Sequence, residues 1–247
     1  MDWHPVEETA QAGLEDVRAK LLTLGFPEEV LNDLTPEDLE ACRDGVEVVV
    51  EVTGETFSED GRGPEELRIT GVGVRLAGER EQWVLIHHFL WTEDPGFYGT
   101  ESIQLWPVYR DIPEGWAEAG EVTGRVLYSR DGREYAAPYF SLGVQTFTSD
   151  SIFWGEQQST DIFAAFSFPA DGERQRGYLA YPVAELQDGY LISSWVNYTH
   201  QSSWLQYPVV TAMEKRMTSA WKRAGVFQTV QDALQFYPQE EGEELLG

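Results

Sequence analysis

Residues 122–140 read VTGRVLYSRDGREYAAPYF, two runs of strand-forming residues meeting at Asp131-Gly132. An Asp-Gly pair tolerates the positive φ angles of a two-residue turn, so this stretch predicts an antiparallel hairpin with strands near 122–129 and 133–140. LQDGY, 186–190, predicts a second between strands near 177–186 and 190–198. Asp-Gly recurs at 44, 60 and 171. Upstream, VEVVVEVTGETF (46–57), ELRITGVGVRLAG (66–78) and EQWVLIHHFLW (81–91) carry the same dense β-branched and aromatic pattern. Closely spaced strands without intervening helices favour a sandwich over a βαβ fold. The expected fold class is α+β, mainly β: antiparallel sandwich or jelly-roll-like sheets over 45–207.

Helical periodicity is confined to the flanks. Leu14, Val17, Leu21 and Leu24 recur at helical spacing, and Gly25 follows as a C-terminal cap. Pro27 opens a second short helix. Thr35-Pro36-Glu37-Asp38 starts a third, with Thr35 as N-cap, Pro36 at the first helical position and acids at the positive helix end. Residues 1–44 therefore form a three-helix prefix. Residues 208–238 are expected to hold a C-terminal helix, opening at Pro208 and ending before Gly225, and a short turn over TVQDALQFY. An acidic tail, 239–247, closes the sequence.

LLTLGFPEEVLNDL, 21–34, resembles the "MGFP" loop of ubiquitin-associated domains, although the third helix follows sooner than in that family. A Gly cap followed by a Pro-started helix explains the same string without ubiquitin. The lead-in is also similar to that of uncharacterised exported proteins of Gram-positive bacteria with an LGFP-type helical start, a family that implies no activity.

Charge narrows the partners. The 247 residues hold 43 acidic and 17 basic side chains, a net charge of −26, which repels phosphate backbones and anionic lipid surfaces. Nucleic acid is excluded as an expected partner. No window approaches the apolar run of about 18 residues that a spanning helix needs, so no direct membrane insertion is expected. MDWHPVEETA lacks the basic and apolar regions of a signal peptide. The expected location is extracytoplasmic, as a secreted or anchored ectodomain, ahead of the cytoplasm. The single cysteine, Cys42, excludes an internal disulfide and a cysteine-rich zinc site, and its helical context predicts a shielded thiol.

The candidate site is GYLISSWVNYTHQSSWLQY, 189–207. Alternation along a strand puts Tyr190, Ile192, Ser194, Val196 and Tyr198 on one face, fit for a core. The other face carries Leu191, Ser193, Trp195, Asn197 and Thr199. A large ring among small polar groups suits a ligand whose apolar face packs on the ring while its polar rim meets Asn and Thr. Trp195, Asn197, Trp204 and Tyr207 are the expected binding residues, for a carbohydrate or a protein or peptide ligand. Asn197-Tyr198-Thr199 also matches a glycosylation sequon.

Catalytic signatures are missing: there is no G-x-S-x-G elbow, P-loop, dinucleotide fingerprint or H-E-x-x-H. No cofactor and no metal are expected. His87 and His88 are adjacent in a strand and point to opposite faces, so they read as separate structural histidines. SEDGRGPEE, 58–66, lacks the ligand spacing of a calcium loop and reads as a hairpin tip. The expected function is a non-enzymatic binding or interaction domain. The alternative is a carbohydrate-active, glycoside hydrolase-like enzyme using paired carboxylates drawn from Glu93, Asp94, Glu101 and Glu156.

Overall fold

The computed structural model describes residues 13–53, 67–92, 99–151, 155–201 and 227–238. Three helices, α1 (Leu14–Thr23), α2 (Glu28–Asp33) and α3 (Pro36–Ala41), precede strands β1 (Gly45–Thr53), β2 (Leu67–Leu76), β3 (Gln82–Trp91) and β4 (Thr100–Trp106). A one-turn helix, α4 (Val108–Asp111), leads to β5 (Trp116–Glu118), β6 (Thr123–Arg130) and β7 (Arg133–Ala136). The long hairpin β8 (Tyr139–Ser151) and β9 (Gly155–Ser167) is followed by β10 (Glu173–Glu185), β11 (Ile192–Gln201) and β12 (Phe227–Phe236).

All pairings are antiparallel and build two sheets. The seven-stranded sheet runs β1-β2-β3-β10-β6-β7, with β5 also paired to β10; the five-stranded sheet runs β12-β11-β4-β9-β8. The chain belongs to the mainly β, α+β class expected of it. The hairpin read from residues 122–140 is present: Asp131 and Gly132 both have positive φ, 51° and 71°, and Arg130 pairs with Arg133.

Two expectations are corrected. The turn at Asp188-Gly189 exists, with Gly189 at φ 85°, but it carries the chain from β10 in one sheet to β11 in the other and closes no hairpin. Residues 227–236, read as part of a short turn, form β12, paired with β11 along its whole length from Ile192↔Phe236 to Gln201↔Phe227. The helix expected over 208–225, the acidic tail and the 58–66 tip lie outside the described residues.

The main core fills the space between the sheets. Trp83, Leu85, Phe89 and Trp91 from β3 meet Ile103, Leu105, Ile162, Phe166, Val196 and Tyr198 from the five-stranded sheet. The sheets approach closely at β2, where a Cβ on Gly71 would lie 3.0 Å from Leu234 and one on Gly73 3.0 Å from Phe236. Those glycines make room for β12.

The helices cover the other face of the seven-stranded sheet. Leu14, Val17, Leu21, Phe26, Val30, Leu31 and Leu39 pack on Val72, Val74, Val84, Ile86, Tyr178 and Ala180. Helices of six to ten residues are marginal alone, so their stability comes from this burial, about 1.5–3 kcal/mol per large side chain. Local signals set their ends. Gly25 at φ 93° closes α1 with bonds from its own N–H to Leu22 and from Phe26 N–H to Leu21, while buried Leu21 and Phe26 supply the apolar contact of that cap. The Thr35 hydroxyl caps α3 by accepting from Asp38 N–H.

Polar groups fix where this layer docks. Buried Asp33 at the end of α2 accepts from Arg176 Nε at 2.7 Å and pairs with His88 Nε2 at 2.8 Å. Burial works against its charge, yet the bonds and charges of His88 and Arg176 outweigh that and hold its carboxyl below the usual range. Asp38 hydrogen-bonds Tyr178 and accepts from Thr123 Oγ1 at 2.6 Å. Buried pairs of this kind specify a docking register more than they add stability. Cys42 is fully buried in this layer, and burial pushes its thiol up to about 12.

Candidate functional site

Strand β11 divides as alternation requires. Ile192, Ser194, Val196, Tyr198 and His200 are buried on the core side. Ser193, Trp195, Asn197, Thr199 and Gln201 face outward, away from the other sheet. Register then supplies the neighbours. Trp195 lies opposite Trp106, Asn197 opposite Gln104 and Thr199 opposite Ser102 on β4; β12 adds Gln235, Ala233 and Gln231 opposite Ser193, Trp195 and Asn197.

The centre of this outer face is a tryptophan pair. The rings of Trp106 and Trp195 lie 6.3 Å apart between centroids, tilted by 45°. The orientation of Trp195 is held by its Nε1, which donates to Ser193 Oγ at 3.1 Å, and the same oxygen accepts from Gln235 Nε2 at 2.8 Å. Arg110, from α4, lies over the Trp106 ring at 5.3 Å and pairs with buried Asp161 at 2.5 Å. Gln104 Nε2 donates to Asp161 at 2.6 Å. Among the described residues, Asn197 Oδ1 has no hydrogen-bond partner, a cost of about 1–3 kcal/mol for a buried acceptor. Exposure is graded: Ser102 and Thr199 are buried, Gln104, Trp106, Trp195 and Asn197 are half-buried, and Gln231 and Gln235 are exposed.

Of the expected binding residues, Trp195 and Asn197 are brought together on this face, and Trp204 and Tyr207 lie outside the described residues. Trp106, Gln104 and Arg110 were not singled out from the sequence, although Ser102, Gln104 and Trp106 alternate with core Ile103 and Leu105 in the same way as 193–197 alternate with their neighbours.

The four candidate catalytic acids make no pair among the described residues. Glu93 and Asp94 lie outside them. Glu101 pairs in register with Phe166, and Glu156 stands ten residues away on the same strand. At the rise of a β-strand that is about 33 Å, against the roughly 5–10 Å that a glycosidase pair requires. Glu101 is buried on the core side with His200, whose Nδ1 is 2.7 Å from its Oε1; the Tyr198 hydroxyl also hydrogen-bonds it and accepts from Trp91 Nε1 at 3.1 Å. Burial raises the Glu101 carboxyl, against the opposing pull of His200. This cluster sits on the opposite side of the sheet from the tryptophan pair.

The adjacent histidines point apart, as strand geometry dictates. His87 faces the core, its Nε2 2.6 Å from Ser194 Oγ, which also accepts from Tyr181 at 2.5 Å. Burial pushes His87 down to about 3. His88 faces the helices and meets Asp33.

No family model and no curated protein matches this chain. Solved structures with a comparable trace include a pore-forming protein, at 8% identity over 77% of this chain and 89% of that one, TM-score 0.35. AvmM, which catalyses macrocyclization in alchivemycin A biosynthesis, aligns at 10% identity over 66% of this chain and 84% of its own, TM-score 0.27. Likeness at this level carries no functional argument.

Proposed function

We propose that this protein is a non-enzymatic binding domain that seats its ligand on the outer face of the five-stranded sheet, across Trp106 and Trp195. The supporting observation is the pair itself: two large rings, half-buried and set side by side among amide side chains. The main core between the sheets is filled without either ring, by buried aromatics that include Trp83, Phe89, Trp116, Tyr128, Phe166, Tyr181 and Tyr198. Flat rings rimmed by hydrogen-bonding groups are the chemistry of a recognition surface. The enzyme alternative lacks its central requirement among the described residues, since Glu101 is committed to His200 and stands far from Glu156.

The test is a ligand screen on immobilised protein, repeated with Trp106→Ala and Trp195→Ala. Binding lost in both variants supports the reading. A ligand held equally well by both variants removes the face from consideration, and turnover of any bound ligand contradicts the non-enzymatic part.

A further inference from the structure

Resting on that reading, we infer that the ligand is a neutral glycan, laid over Trp106 and Trp195 with its hydroxyls met by Asn197 and Gln104. The first argument is charge. The outward positions are Ser102, Gln104 and Trp106 on β4, Ser193, Trp195, Asn197, Thr199 and Gln201 on β11, and Thr229, Gln231, Ala233 and Gln235 on β12. None of these is ionisable, in a chain of which 24% is charged and whose net charge is −26. The charges that border the rings, Arg110 and Asp161, are joined to each other at 2.5 Å. Among the described residues, the side chains around the two rings offer no charge beyond that ion pair with which to select an anion or a cation, and the field of the whole chain disfavours anions.

The second argument is position. Strand β11 is hydrogen-bonded to β12 on one side and β4 on the other, and β4 is in turn bonded to β9. The backbone here is spent on the sheet, so an extended peptide cannot add as a strand, which needs an open edge. A ligand at this place is read through side chains alone. Rings, primary amides and hydroxyls read alternating C–H faces and hydroxyl groups, the two surfaces of a pyranose.

The third argument is the unpartnered acceptor. Asn197 Oδ1 lacks a donor among the described residues and is itself shielded from solvent, so the soft terminal torsion of the asparagine has to turn the amide to bring that oxygen onto the face. A sugar hydroxyl supplies that donor. Gln104, opposite Asn197, uses its Nε2 on Asp161, which leaves its amide oxygen as the acceptor it can offer a ligand.

The experiment is binding of the intact protein to printed arrays of neutral glycans, sialylated and sulfated glycans, and peptides, at low and high salt, with Trp195→Ala, Asn197→Ala and Gln104→Ala alongside. The expected result is binding to neutral glycans that is insensitive to salt, abolished by Trp195→Ala and weakened about tenfold by each amide variant, the effect of losing one neutral hydrogen bond. Asn197→Ala should melt no lower than the parent, because it removes an unpartnered buried acceptor, and Gln104→Ala somewhat lower, because buried Asp161 loses a donor; both should stay folded at the assay temperature. Binding confined to anionic glycans or to peptides, and lost in Trp195→Ala, keeps the face and overturns the glycan. Neutral-glycan binding unchanged in both amide variants overturns the assigned contacts. Array binding of any class that survives Trp195→Ala overturns the face itself.

Discussion

His87 should make the fold acid-sensitive in a way that one substitution removes. Its ring is buried between the sheets, and burial pushes it down to about 3 from 6.5. The folded value is depressed, so the folded protein holds His87 neutral while the unfolded chain takes up a proton as pH falls below 6.5. The contribution is therefore fully present above 6.5 and is lost as pH falls toward 3, at a little over 1 kcal/mol per pH unit. Integrated over that window it reaches about 5 kcal/mol, comparable with the whole stability of many domains. His87→Gln keeps a polar group within reach of Ser194 Oγ and does not titrate. Urea unfolding followed by tryptophan fluorescence at pH 7, 6, 5 and 4 measures the effect as the difference between parent and variant, which cancels the titration of other groups. The variant should be the less stable at pH 7, through imperfect packing, and should gain on the parent by about 1 kcal/mol for each unit of acidification. Parallel stability curves would refute the reasoning.

Glu101 carries the opposite sign. Its folded value is raised by burial, so its contribution is present below about 4.5 and is lost as pH rises through the folded value; Glu101→Gln should gain stability relative to the parent between pH 4 and pH 7 in the same unfolding assay. Cys42, fully buried and pushed up to about 12, should resist a thiol reagent in the native protein and react at once in denaturant. Gly177→Ala should cost about 3 kcal/mol or more, because the new Cβ would lie 2.5 Å from the Arg125 carbonyl, a backbone atom that cannot swing away; a melting temperature equal to the parent's would contradict the packing at β10.

The parts of the fold that were legible are those encoded locally. Asp131-Gly132 sets a turn by its own backbone preferences, and Thr35-Pro36 or Gly25 sets a helix end in the same way. Asp188-Gly189 shows the limit: the turn chemistry is local and correct, but which strand β11 joins is decided by packing across the sandwich. In β12, Val230 and Leu234 are four apart, a spacing that puts two residues on one face of a strand and on one face of a helix alike. Only pairing with β11 distinguishes them. The site divides similarly. Period two along 192–199 places Trp195 and Asn197 on one face without further information, whereas their partners Trp106 and Gln104 arrive through cross-strand register. The Glu101–His200 pair joins residues 99 positions apart, and nothing in the short-range pattern announces it.

The most direct test of the binding face measures stability and binding on one preparation of Trp195→Ala. A half-buried ring on a sheet surface should cost about 1–2 kcal/mol on truncation, a fall of roughly 3–6 °C in melting temperature for a domain of this size. Trp83→Ala, the same change at a fully buried ring, should cost about 3–5 kcal/mol. Calorimetric melting and titration with the best array glycan then give both numbers. The account predicts a Trp195→Ala protein that stays folded and no longer binds; a loss of stability equal to that of Trp83→Ala, or binding retained at parental affinity, would contradict it.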